Sequence, residues 1–167
     1  APAAQLLQAS LLERGLNFLM AARTKVIHGH ERVEAVEFED GRTIAADLVV
    51  MAAGIRPNIA LAEQANIQTD RGILVSDTLQ TFDPNIYAVG ECAQHRNTCY
   101  GLVAPLFDQA KVCANHLAMI GTKRYLGSVT STKLKVTGID LFSAGQFNEQ
   151  EHDEVLVLQD PSQGVYK

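Results

Sequence analysis

Two short runs end in residue types suited to holding a polyhydroxylated ligand: residues 48–58 (LVVMAAGIRPN) and residues 81–91 (TFDPNIYAVGE). Each is an apolar stretch closed by small residues and a glycine, Gly54 in the first and Gly90 in the second. Glycine carries no Cβ, so a ligand can approach the backbone there. Glu91 adds a carboxylate, which accepts hydrogen bonds from ribose or polyol hydroxyls. A carboxylate at the end of a buried strand is costly unless satisfied, which favours a functional role for Glu91. The carboxyl ends of parallel strands are also where open α/β sheets bind ligands.

The better-known nucleotide signatures are missing. The chain has neither a G-x-G-x-x-G fingerprint nor a G-x-x-x-x-G-K-[ST] loop. Arg56 could reach a cofactor phosphate or cap its own turn, and the second reading is preferred. His95 follows Glu91 closely; lining an active site and lying in an exposed loop are equally good accounts of it. His28 and His30 sit two apart on a strand, but no third metal ligand is close, so they read as solvated. Asp108 and Lys111 have the spacing of a helix-surface pair. Cys92, Cys99 and Cys113 show no C-x-x-C spacing and read as reduced thiols of a cytoplasmic protein, with Cys92 a small packing residue near the site.

The elements that must position these residues follow from periodicity. Residues 48–53 and 86–89 predict short strands buried on both faces. Residues 106–119 predict an amphipathic helix with apolar positions at 106, 107, 110, 113, 114 and 117. Helices are also expected over residues 5–14, ended by Gly15, and over 59–65. Strands are expected over 17–21, in pieces over 26–44 around an Asp40-Gly41 turn, and over 72–75. Leu134, Val136 and residues 139–142 and 155–158 read as further strands, separated by the polar stretch 148–154, with another starting at Gly164. Strands that feed helices imply an α/β class. A helix at the start with no strand before it suggests a chain cut from a longer one.

Composition excludes some classes. The 167 residues are 47% hydrophobic and 20% charged, the balance of a globular domain. A net charge of -5 argues against nucleic acid. The basic stretch of Lys123, Arg124, Lys133 and Lys135 reads as solvated. No apolar run reaches the length of a membrane span, and the first residues lack the pattern of a secretory signal.

Residues 52–58 (AAGIRPN) resemble the A-x-G-x-x-P-N strand end of the pyridine nucleotide–disulfide oxidoreductase superfamily, flavoproteins with two dinucleotide-binding domains. Residues 81–91 resemble its T-x-x-P-x-I-[FY]-A-x-G-[DE] segment, where the family usually carries Asp in place of Glu91. The resemblance implies FAD and NAD(P)H as cofactors. It also implies a helix at residues 104–111 (APLFDQAK) whose amino end lies under the flavin, where free N–H groups favour negative charge. Gly54, Gly90, Glu91, Pro105, Leu106 and Phe107 are then the expected cofactor-binding residues, with Pro105 at the first helical position.

Residues 47–58, 88–96, 100–111 and 127–145 look more specifically like the NAD(P)H-dependent nitrite reductase branch. That likeness implies an α/β, partial two-dinucleotide-binding flavoprotein fold followed by the start of a β-rich domain. Residues 1–55 would be the second half of the NAD(P) domain, 56–124 the second half of the FAD domain, and 125–167 the opening of the next. It implies hydride transfer from NAD(P)H to FAD, with iron–sulfur and sirohaem centres outside this chain. Proximity and orientation do most of the work in such a step, so no catalytic residue is expected. Alternatives are a ferredoxin or rubredoxin reductase or NADH oxidase of the same superfamily, and a non-catalytic interaction module. Exposed edges could support a homodimer. Without glycine-rich pyrophosphate loops, the chain by itself is expected to bind FAD weakly or not at all.

Overall fold

The computed structural model describes residues 2–134, 138–146, 152–160 and 162–167. They pack as two units, one of residues 1–53 with 151–167 and one of residues 54–150.

The first unit opens with α1 (Pro2–Leu12). Its end is closed by Gly15, whose N–H donates to the Leu12 carbonyl at 2.9 Å. An antiparallel meander follows: β1 (Thr24–Gly29), β2 (Val33–Phe38) and β3 (Thr43–Ala45). The expected Asp40-Gly41 turn joins β2 to β3, with the Gly41 N–H bonded to the Phe38 carbonyl at 3.0 Å.

Two of the expected strands before residue 54 are absent. Residues 17–21 are irregular, and residues 48–53 form no ladder. Leu48, Val50 and Met51 are 78%, 77% and 87% exposed, so the valine-rich run is not buried on either face. Its composition suits a central strand, but among the described residues no neighbour supplies the hydrogen bonds that a strand requires.

The second unit holds α2 (Ala60–Gln64), β4 (Ile73–Val75), β5 (Ala93–His95), β6 (Thr98–Cys99) and α3 (Val103–Leu117). The β4–β5 pair is parallel, with Ile73 opposite Ala93 and Val75 opposite His95. It gives the α/β character that the order of elements implied. Residues 86–89, expected as a strand, make only one bridge, between Gln80 and Tyr87. They are pinned instead as a narrow turn, with the Ala88 N–H on the Leu79 carbonyl at 3.0 Å and the Thr81 N–H on the Ile86 carbonyl at 2.9 Å.

Helix α3 starts three residues earlier than expected and presents a different face. Pro105, Gln109, Val112 and Cys113 are its buried residues, whereas Phe107 is 63% and Leu117 57% exposed. Val112 and Cys113 pack with Leu79 and Tyr125 in the unit's core, and Val75, Tyr87 and Tyr100 close around them. Pro105 lies in the third helical position rather than the first. That costs nothing, because first-turn N–H groups have no intrahelical acceptor.

Beyond α3 come β7 (Ser131–Lys133) and β8 (Phe142–Ala144), paired antiparallel. In the first unit, β9 (Gln159–Asp160) pairs with β10 (Val165–Tyr166), so the strand expected at Gly164 finds its partner within the chain. Residues 155–158 are irregular and exposed. Val136, Lys135 and most of the polar stretch 148–154 fall outside the described residues. No helix among the described residues is long and apolar enough to cross a membrane.

Candidate functional site

The segment 81–91 is held by its own turn chemistry. Asp83 Oδ1 accepts the Asn85 N–H at 2.8 Å, and the Gln80 side chain donates to the Pro84 carbonyl at 2.7 Å. These bonds fix the turn that delivers Ala88, Gly90 and Glu91. Gly90 has φ of +100°, and a Cβ there would meet nothing within 4 Å, so its Cα faces open space. Its N–H donates to Gln109 Oε1 of α3 at 2.9 Å. Gln109 is fully buried, and its Nε2 has no hydrogen-bond partner among the described residues.

Glu91 comes next and is exposed, which corrects the expectation of a carboxylate at the end of a buried strand: residues 86–89 form no strand and Glu91 opens to solvent. It lines a cleft of about 630 Å³ together with Ile55, Arg56, Arg71, Tyr100 and Gly101. Gly54, at φ of +85°, immediately precedes the cleft residues Ile55 and Arg56. Gly101 leads into α3, whose cap residue Leu102 offers no side-chain hydrogen bond, so the first-turn N–H groups stay uncapped. Of the expected site residues, Glu91 is therefore in the cleft. Gly54 and Gly90 are the chain neighbours of cleft residues. Pro105 is buried, Leu106 half-buried and Phe107 exposed, all on the first turns of α3 rather than on the cleft wall.

Behind the cleft lies a polar layer that sequence reading missed. All three residues of β5 are buried. Gln94 Oε1 accepts the Gly72 N–H at 2.8 Å, and its Nε2 donates to Asp70 at 2.9 Å; this bond lowers the Asp70 carboxyl from its ordinary value. His95 is only 2% exposed, so it is neither a loop residue nor part of the cleft lining. Its Nε2 meets Asp77 Oδ1 at 2.7 Å, and its ring lies 4.9 Å from that of Tyr125. Arg96 donates twice to the same carboxylate, at 3.0 and 2.7 Å. Arg96 first and His95 second hold the Asp77 carboxyl down to about 2. Arg96 and Asn97 form the β5–β6 turn with φ of +46° and +66°, a left-handed pair that favours glycine. The Asp77 bonds and an Arg71 bond to the Asn97 carbonyl hold it in place. Nothing local in the sequence announces this layer, because Asp77 and His95 lie eighteen positions apart.

The remaining candidates are peripheral. His28 contacts Glu37 at 2.8 Å on the exposed hairpin, and no metal-binding cluster occurs among the described residues. Asp108 and Lys111 form the expected surface pair at 3.6 Å. The cysteines are unpaired, and burial raises the Cys99 and Cys113 thiols above their ordinary value.

Chemically, the cleft offers a carboxylate acceptor and two guanidinium groups, and the open glycine Gly90 and the uncapped start of α3 adjoin its residues in the chain. Comparison with known proteins places the chain in a family. Residues 1–116 match the family "Pyridine nucleotide-disulphide oxidoreductase", and residues 131–167 match "Rubredoxin NAD+ reductase C-terminal domain". The chain is 53% identical, over its whole length, to a Bacillus subtilis nitrite reductase [NAD(P)H], of which it covers 21%. It is 48% identical over 99% of its length to the assimilatory nitrate reductase electron transfer subunit of the same organism, again covering 21% of that protein. Among solved structures, a ferredoxin reductase from Rhodopseudomonas palustris aligns with a TM-score of 0.84 at 25% identity, over 97% of this chain and 41% of that one. The chain thus spans about a fifth of the length of these two curated relatives.

Proposed function

Since the chain belongs to the pyridine nucleotide-disulphide oxidoreductase family, we propose that it forms part of the electron-input module of an NAD(P)H-dependent flavoprotein of the nitrite reductase type, acting in the cytoplasm. The observation that carries the site assignment is the Glu91 cleft, which presents an acceptor carboxylate and which an open glycine, Gly90, and the uncapped start of α3 adjoin in the chain. Residues 1–55, 56–124 and 125–167 correspond in this reading to the close of an NAD(P) domain, the close of an FAD domain and the opening of a β-rich domain.

The residues present fit FAD. Glu91 has no hydrogen-bond partner among the described residues and is available to accept from ribityl hydroxyls. Gly90 leaves room for the ligand beside the backbone. The first turn of α3, from Val103 through Pro105 to Phe107, supplies N–H groups and the positive end of the helix dipole, which stabilise negative charge. FAD, when bound, supplies acceptance of a hydride from NAD(P)H and release of electrons one at a time. This chain's contribution is binding and orientation, so none of its side chains is assigned proton transfer. Gly54 turns the chain just before Ile55 and Arg56, which line the cleft.

The test is anaerobic mixing of the FAD-loaded full-length protein with NADH or NADPH. Bleaching of the oxidised flavin band within the mixing time is expected. A flavin that stays oxidised with both nucleotides contradicts the reading. The match of residues 131–167 to the rubredoxin reductase C-terminal domain supports a second reading, a reductase that delivers electrons to a rubredoxin- or ferredoxin-type acceptor. Nitrite consumption by the full-length protein, or its absence, separates the two.

A further inference from the structure

Tyr100 belongs to two places at once. It lines the Glu91 cleft, next to Cys99 and Gly101. Its hydroxyl oxygen, at the far end of the ring, accepts the Ser128 N–H at 3.1 Å. Ser128 lies in the connector between α3 and β7, and three further bonds seat that connector. The Tyr125 N–H donates to the Asp77 carbonyl at 2.8 Å. The Tyr125 and Ser128 hydroxyls meet at 3.0 Å, and Ser128 Oγ donates to Asp108 of α3 at 3.2 Å. Tyr125 is 3% exposed, and its ring packs edge-on against Tyr100 with centroids 6.1 Å apart. Gly127 stands at φ of +105°, and a Cβ there would come within 3.3 Å of the Tyr100 hydroxyl. Glycine at this position lets the connector pass close enough for the bond. Asp108, Tyr125 and Ser128 do not line the cleft, so the hydrogen bond that joins the connector to it goes through Tyr100.

We infer that Tyr100 is a positioning residue that couples the Glu91 cleft to the connector at residues 125–128, so that filling the cleft and seating the connector reinforce each other. A tyrosine is a rigid apolar ring with a polar tip, so contact along the ring fixes the hydroxyl at its end. A ligand that packs on the ring therefore holds the acceptor of the Ser128 N–H in place. Conversely, a seated connector holds the ring in the cleft wall. Thermodynamic linkage makes the two effects equal in size. The connector opens into residues 131–167, so the coupling carries the state of the cleft to the start of that segment. The nature of the ligand rests on the flavin reading above; the link through Tyr100 does not.

The experiment follows alkylation of the cysteines by iodoacetamide, peptide by peptide, in the full-length protein before and after FAD loading. Cys99 neighbours Tyr100 in the cleft wall, whereas Cys113 lies in the core and reports general loosening. Tyr100→Phe and Ser128→Ala should each speed Cys99 alkylation about fivefold, the size expected for one net hydrogen bond. The double variant should be no faster than the faster single one, because both changes release the same contact, and Cys113 should stay at the wild-type rate. In hydrogen exchange, FAD loading should slow the Ser128 amide about fivefold in the wild type and leave it unchanged in Tyr100→Phe. A Ser128→Ala variant with wild-type Cys99 reactivity, or Cys113 accelerating in step with Cys99, overturns the inference. So does a Ser128 amide that FAD protects equally with and without the Tyr100 hydroxyl. If FAD binds while the Cys99 rates do not respond, the coupling falls and the flavin reading stands. If FAD does not bind, the flavin reading falls and the Cys99 rates alone decide the coupling.

Discussion

The Asp77 carboxylate accepts one hydrogen bond from His95 and two from Arg96. Its carboxyl sits at about 2, against an ordinary 3.8. A depressed value stabilises the fold above the ordinary range and loses that contribution as pH falls through the folded value. The window is therefore from about 3.8 down to about 2. Tyr125 reports on it, because its N–H donates to the Asp77 carbonyl at 2.8 Å and its ring faces His95. Near-UV circular dichroism should lose tyrosine signal across this window, and Asp77→Asn should flatten that part of the profile; an unaltered profile in the variant would exclude the Asp77 clamp. Gln109→Leu removes the acceptor of the Gly90 N–H together with the unpartnered Nε2. The net cost should be small, about 1 kcal/mol, with markedly faster hydrogen exchange at the Gly90 amide as the specific sign. Exchange at an unchanged rate would deny Gln109 its hold on the strand end. Neither residue was legible in the sequence. Gln109 lies between Asp108 and Lys111 in a polar run that does not mark it as buried, and Asp77 finds its partners only through the β4–β5 pairing. Glu91 was legible from its place after A-V-G, although the burial first invoked for it does not exist.

Helix α3 shows where periodicity succeeds and where it fails. The 106–119 pattern located the helix, and the uncapped start is consistent with the absence of Ser, Thr, Asp or Asn at Leu102. The pattern misplaced the buried face, because Gln109 fills a core position by hydrogen bonding while Phe107 and Leu117 are left exposed. The same holds for the apolar runs 48–53 and 86–89. Composition can mark a stretch as suited to a buried strand, but a strand exists only where a neighbour completes its ladder. The hairpin turn at Asp40-Gly41 needed no such long-range partner and was read correctly. The element that organises the second unit's core is the segment around Leu79, fully buried at φ of +65°. Leu79→Ala should destabilise that unit by about 2–4 kcal/mol, read as a lower urea midpoint for the α3 helical signal. A midpoint unchanged from the wild type would remove Leu79 from the core.

The molecule as a whole presents β1 and β3 as sheet edges in its first unit, with every residue of both strands exposed. Leu48, Val50 and Met51 add exposed apolar surface to that unit. Unpaired edges and apolar surface of this kind promote association. Sedimentation velocity should accordingly show concentration-dependent dimers of the chain, and a monomer at every concentration would oppose that expectation. The family and the α/β class could be read from short motifs because residues 52–58 and 81–91 are local signatures. How the chain divides into packed units was not readable in the same way, since residues 151–167 join the first unit across nearly a hundred intervening positions. The Glu91 cleft is the proposed seat of the flavin. Its most direct test is the FAD dissociation constant of the full-length protein with Glu91→Leu beside Glu91→Asp. Glu91→Leu should weaken FAD at least tenfold while Glu91→Asp, which keeps the acceptor, stays close to wild type. Equal affinity in all three proteins would contradict the assignment.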